Sequence, residues 1–157
     1  MARWHSFISK KLFLKKVEVI SNFPVNGEEA ISRFIVSRYH FNNQTGNISP
    51  QAFKPASPKP PERPDQQTSV YRTKSLNDAE IWAVGDDFVA TKRNIPILAR
   101  ADIQAEKIFN QDLEIIPDTR PHPRHANIVK WPENDEARQM KCLLLSKQAT
   151  LLARSTT

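Results

Sequence analysis

The chain is poor in the residues that most often announce chemistry. A single cysteine, Cys142, among 157 residues excludes an intramolecular disulfide, and no Cys/His pairing suits a zinc centre. Cys142 stands in the apolar run KCLLLSK and reads as a buried small hydrophobe in a protein of a reducing compartment. The three glycines, Gly27, Gly46 and Gly85, stand alone, which excludes a glycine-rich phosphate loop. A Gly-x-Ser-x-Gly elbow is missing, and with it the commonest serine-hydrolase signature. No stretch has the continuous apolar length of a transmembrane segment or a secretory signal. No cofactor is expected.

What the chain does have is proline and positive charge. Its net charge is +6, but residues 1–24 hold Arg3, Lys10, Lys11, Lys15 and Lys16 against Glu18 alone, a surplus of four. The rest carries only +2, too little clustered charge to mark the body as a duplex-binding surface. The basic leader, residues 1–24, has three readings: a poorly ordered extension or edge strand, a membrane-surface segment, and an organellar transit peptide. The location expected is cytoplasmic, or an organellar matrix if the leader is a transit peptide. Residues 25–157 are expected to form a single α+β domain, with a proline-rich loop at 50–64 holding six prolines.

Along that domain, Asn26 and Glu29 have capping-box spacing, and Ile31, Phe34, Ile35 and Tyr39 recur at helical intervals, predicting an amphipathic helix to about His40. In NNQTGN, Gly46 is the residue expected at an unusual φ. TSVYRTKSL reads as a strand around Val70 and Tyr71. A short helix then follows over Asp78–Val84, with Asn77 and Glu80 as capping box, Leu76 and Ile81 as staple, and Gly85 as its C′ residue. Asp86–Asp87 then reads as a solvated turn. IPILARADI, LEIIPD and ANIVKW predict strands, with a helical turn in QAEKIFNQD. From Asp135 a long helix is expected, its stripe running through Ala137, Met140, Leu144, Gln148 and Leu151. The fold class is α+β: a small mixed or antiparallel sheet flanked by an N-terminal amphipathic helix and a long C-terminal helix.

The stretch closest to chemistry is RPHPRHANIVKWP, Arg120–Pro132. Its histidines lie three apart in a proline-stiffened loop beside two arginines, which repel a divalent metal, so no metal site is assigned. An anion site fits better. Arg120 and Arg124 can grip a phosphate or carboxylate bidentately, and His125 can serve as general acid or base near neutral pH. Arg72 joins if its strand is a neighbour, and Tyr71 and Asn127 add polar contacts. Strand alternation puts His125, Asn127 and Val129 on one face. His122, between two prolines, is expected to be exposed and passive. The competing reading is that His125 and Asn127 merely satisfy backbone groups at a sheet edge.

Whether the protein is an enzyme stays open, and three functions compete. The favoured one is a small soluble accessory protein that binds a protein partner through the proline-rich loop or the leader. The second is an enzyme or binding protein for a phosphorylated or nucleotide-like anionic small molecule, built on His125, Arg72, Arg120, Arg124 and Asn127. The third is non-specific nucleic-acid binding through the basic leader. The second requires His125 and Arg72 to converge in one pocket.

Overall fold

The computed structural model describes residues 23–120 and 122–155. The basic leader therefore lies almost wholly outside the described residues. The architecture is mixed α and β, centred on a six-stranded antiparallel sheet. In chain order its members are β1 (Ala30–Ile35), β4 (Thr68–Arg72), β5 (Ala99–Gln104), β6 (Glu114–Pro117), β7 (His125–Val129) and β8 (Thr150–Ala153). They lie side by side as β6-β7-β4-β1-β5-β8. A separate two-stranded hairpin joins β2 (Phe41–Asn42) to β3 (Asn47–Ile48), turning through Gly46 at φ 73°, as its sequence predicts. The helices are α1 (Asp78–Gly85), α2 (Thr91–Arg93), α3 (Ala105–Phe109) and α4 (Asp135–Gln148), and a π-helical turn, Asp86–Ala90, links the first two. Among the described residues, no helix is long and apolar enough to cross a membrane.

The expected N-terminal helix is not there: Ala30–Ile35 is the central strand β1. The misreading has a physical cause. β1 pairs with β5 over six residues and is buried on both faces, so its apolar residues follow no clean alternation and also satisfy helical spacing. The Asn26 and Glu29 signature is real but closes a turn. Glu29 accepts from the Asn26 backbone N–H at 2.8 Å, and Asn26 Oδ1 accepts from Glu28 N at 2.9 Å. Glu29 also has a second role. Buried beneath the sheet, it receives Arg72 Nε at 2.8 Å and Nη2 at 2.9 Å. Burial pushes its carboxyl up, but the bonds from Arg72 and Asn26 and the Arg72 charge outweigh this and hold it below the usual range.

The predicted strands around Val70, Ala101, Ile115 and Ile128 form as β4 to β7. The capping box of α1 forms with both of its bonds. Gly85 is the last residue of that helix but not a left-handed C′ stop. It keeps a helical φ of −60°, and the chain runs on through the π-helical turn and α2 until Asn94, in the left-handed region at φ 53°, stops it. Gly85 is required for room, since a Cβ there would lie 2.8 Å from the Phe34 ring. Asp86, read as a turn residue, sits in this helical stretch and grips Arg154 with both oxygens at 2.5 and 2.6 Å.

The C-terminal helix begins as expected, capped by Asn134, but its buried stripe is Cys142, Leu145 and Ser146, and Met140 is exposed. Leu151 and Leu152 belong to edge strand β8, because the chain leaves the helix at Ala149 and pairs with β5. The sheet has an apolar cluster on each face. Ile31, Val70, Ala101, Ala126 and Ile128 join Leu145 and Cys142 of α4 on one side. Phe34 and Tyr71 join Ile81, Val84 and Ile97 on the other.

One local break in the sheet positions the site. β1 and β4 pair over only two positions, Ile31↔Arg72 and Ser32↔Tyr71. Beyond them β1 follows β5 while β4 follows β7, and the two central strands fork. Arg33 bridges the fork, donating from Nη1 to the Ser69 carbonyl and from Nε to the Ala52 carbonyl, both at 2.9 Å. The Ser69 carbonyl, which pairing with β1 would otherwise satisfy, is thus met by a guanidinium.

Candidate functional site

The fork opens into a cleft of about 940 Å³, within the size range of small-molecule sites. Its floor is β4, through Thr68, Ser69 and Tyr71, and the start of β7. Strand alternation and the register Tyr71↔His125 and Ser69↔Asn127 place these four side chains on one face. The walls come from the proline-rich loop, through Lys54, Pro55 and Arg63, and from the helical stretch carrying Phe88, Lys92 and Arg93. The β6–β7 connection contributes Asp118 and Arg120.

The floor carries a defined hydrogen-bond relay. His125 Nδ1 lies 2.8 Å from the Asp118 backbone carbonyl, which can only accept, so the proton is on Nδ1. In the neutral ring Nε2 is then an acceptor, and Ser69 Oγ donates to it at 2.7 Å. Burial lowers the His125 pKa; the bond and charge of Asp118 act against this, and the charges of Lys92 and Arg120 reinforce it. The ring is therefore a neutral base at neutral pH. Tyr71 packs edge-on against it, centroid to centroid 5.3 Å, and burial lifts the Tyr71 phenol to about 12, leaving it protonated.

Asp118 is itself held from several sides. Arg120 donates Nε to Oδ1 at 3.0 Å and Nη2 to Oδ2 at 3.3 Å, and Asn127 Nδ2 donates to Oδ2 at 3.2 Å. Its backbone N–H donates to the His125 carbonyl at 3.0 Å. The bond from Arg120 holds the carboxyl below its usual range. His125 Nδ1 is 4.0 Å from Asp118 Oδ2, so the orienting acceptor is the backbone carbonyl and not the carboxylate.

Electrostatics complete the picture. Six cations line the cleft, Arg33, Lys54, Arg63, Lys92, Arg93 and Arg120, against two carboxylates, Glu62 and Asp118. The surplus is four positive charges among the described residues. Burial draws the Arg33 guanidinium down to about 10, and the nearby Arg93 charge adds to the fall, so Arg33 remains a cation at neutral pH. His40, also at the cleft, is lowered by burial and by Arg33.

No family model, no curated protein and no solved structure matches the chain. The functional reading therefore rests on this geometry.

Of the residues singled out in the sequence, the structure brings His125, Asn127 and Arg120 together at the cleft, with Tyr71 beside them. It does not bring Arg72 or Arg124. Arg72 immediately follows the cleft-facing Tyr71 in β4 and so points to the other face, while Arg124 lies in the turn before β7, buried and outside the cleft lining. Arg72 is spent on Glu29 and on the carbonyls of Phe23 and Pro24, at 2.6 and 3.3 Å. Arg124 is buried and donates Nη1 to the carbonyls of Arg72 and Lys74 at 3.0 and 2.8 Å. The clamp of Arg72, Arg120 and Arg124 beside His125 is thus corrected: the convergence of Arg72 with His125 that this reading requires does not occur, and of the three only Arg120 lines the cleft, together with Arg33, Lys54, Arg63, Lys92 and Arg93.

His122 is also corrected. It is buried, packed against Phe88 at 4.2 Å between ring centroids, and its Nδ1 accepts from the Arg124 N–H at 3.0 Å. Sequence reasoning missed Ser69, whose signal was its two-residue spacing from Tyr71, and missed Arg33, Lys92 and Arg93, which sit in segments with no motif.

Proposed function

We propose that the cleft binds a phosphorylated, nucleotide-sized anionic ligand. The observation that carries this reading is the convergence of six cations and two carboxylates on one cleft whose floor is a neutral, oriented histidine. A cleft with this charge surplus favours multiply charged phosphate over a single carboxylate, and guanidinium groups match phosphate geometry. Phe88 and Val89 give the same cleft an apolar strip against which a base or other flat group can lie.

This reading takes precedence over partner binding through the proline-rich loop, because Pro55, Ala56, Glu62 and Arg63 of that loop form cleft wall. Calorimetric titration of the full chain with adenosine mono-, di- and triphosphate at low salt tests it. Affinity is expected to rise with phosphate number and to fall with ionic strength. Absence of saturable binding for all three nucleotides would overturn it.

A further inference from the structure

Ser69 and His125 have the geometry of an activated nucleophile and its base. The Oγ–Nε2 distance of 2.7 Å lies within the range such pairs show, and the base is turned towards the serine by a third group, the Asp118 carbonyl. Ser69 is half-buried and lines the cleft, so its oxygen is reachable from the ligand space. A cross-strand pair that served stability alone would need neither the opening above it nor the cations around it.

From this arrangement we infer that Ser69 is a nucleophile, with His125 as its general base, acting on a phosphodiester held in the cleft. The inference rests on the reading of the cleft as a phosphate site and goes beyond it to a reaction. In the first half, Ser69 Oγ bonds to phosphorus as its proton passes to His125 Nε2. The phosphorus–oxygen bond to one ester group breaks, and the departing alkoxide takes the proton from Nε2. In the second half, water gives a proton to His125 and attacks the seryl phosphodiester, releasing a phosphate monoester as Ser69 recovers its proton. The sum is one phosphodiester and one water giving one alcohol and one monoester, with no oxidant or metal in the balance. Arg33 anchors the Ser69 carbonyl and brings positive charge to the backbone that carries the nucleophile; Lys92 and Arg93 line the same cleft, where the negative charge on the phosphoryl oxygens must be held.

The full chain treated with an alkyl fluorophosphonate, followed by peptide mass spectrometry, reads this directly. Attack by Oγ expels fluoride and leaves a phosphonyl adduct on Ser69. The expected result is an adduct at Ser69 and at no other serine, formed about 100-fold more slowly in His125→Ala. The intact protein supplies the main readout, so it does not depend on any variant folding. Adenosine triphosphate binding measured on the same sample separates the two claims. Binding without an adduct at Ser69 would overturn the nucleophile and leave the phosphate cleft standing; loss of both would remove the cleft reading as well. An adduct at Ser69 whose rate is unchanged in a folded His125→Ala protein would overturn the pairing with His125.

Discussion

Around the sheet the protein consumes some of its arginines with its own acceptors, and at the cleft it leaves others facing open space. Arg72 has Glu29 and two backbone carbonyls as acceptors and is 1% exposed; Arg124 is fully buried and ties β7 to the chain beyond β4. Arg120, by contrast, has an 80% exposed side chain and a single carboxylate partner. Arg33 lies between these cases, holding two carbonyls together while lining the cleft. The difference teaches that a guanidinium marks an anion site only where the fold has not already supplied its acceptors. The same side chain is a strut in one place and part of a binding surface in the other.

The sharpest way to break this comparison is to remove a strut. Arg72→Met strands the Glu29 carboxylate in the interior, and the expected loss of stability is about 3–5 kcal/mol, measured by urea unfolding. A loss within 1 kcal/mol, as expected of an exposed arginine, would erase the distinction.

Next in size is a pH effect next to the struts. Burial, with the charges of Arg124 and His125, pushes the His122 pKa to about 4, against 6.5 for an ordinary histidine. The unfolded chain then binds a proton more readily than the folded one between those values. Stability is fully present above pH 6.5 and falls as the pH drops towards 4, by about 3 kcal/mol from this group. Burial lowers His125 as well, which adds loss in the same direction. Unfolding free energies collected across pH 7 to 4 should fall steeply in the native protein and less steeply in His122→Asn; parallel slopes would contradict the assignment.

A smaller effect tests the packing that supports the cleft wall. Gly85→Ala places a methyl against the Phe34 ring and is expected to cost about 1–3 kcal/mol in thermal or urea unfolding. A neutral result would mean that α1 can move off the sheet. Smallest of all is Arg120→Ala, which should leave stability unchanged within the error of urea unfolding while nucleotide affinity drops several-fold. Equal changes in both would make Arg120 a strut like Arg72.

Local signals in the sequence were sound where one element decides its own form. The Asn77–Glu80 cap, the turn at Gly46 and the strands around Val70 and Ile128 all follow from neighbouring residues. The failure at Ala30–Ile35 came from burial on both faces, which hides the strand period, and the long helix was misphased because its stripe was carried past Gln148 into a strand. The site was half legible. Alternation in β7 correctly puts His125 with Asn127. The same rule forbids Tyr71 and Arg72, adjacent in β4, from serving one pocket, and applied to β4 it would have excluded Arg72; Arg124 lies before β7 and is removed by its bonds to the Arg72 and Lys74 carbonyls, which alternation does not foresee. What alternation could not supply was the β4–β7 register that puts Ser69 beside His125, or the fork that admits Arg33 to the cleft. Those are tertiary facts.

The central claim is that the cleft cations, and not the buried arginines, hold the anion. Calorimetric titration of adenosine triphosphate into Lys92→Glu/Arg93→Glu at low salt tests it most directly, since both side chains are exposed and their replacement leaves the core intact. The account predicts that affinity falls by at least about tenfold relative to the native chain. Undiminished affinity in the double variant would contradict it.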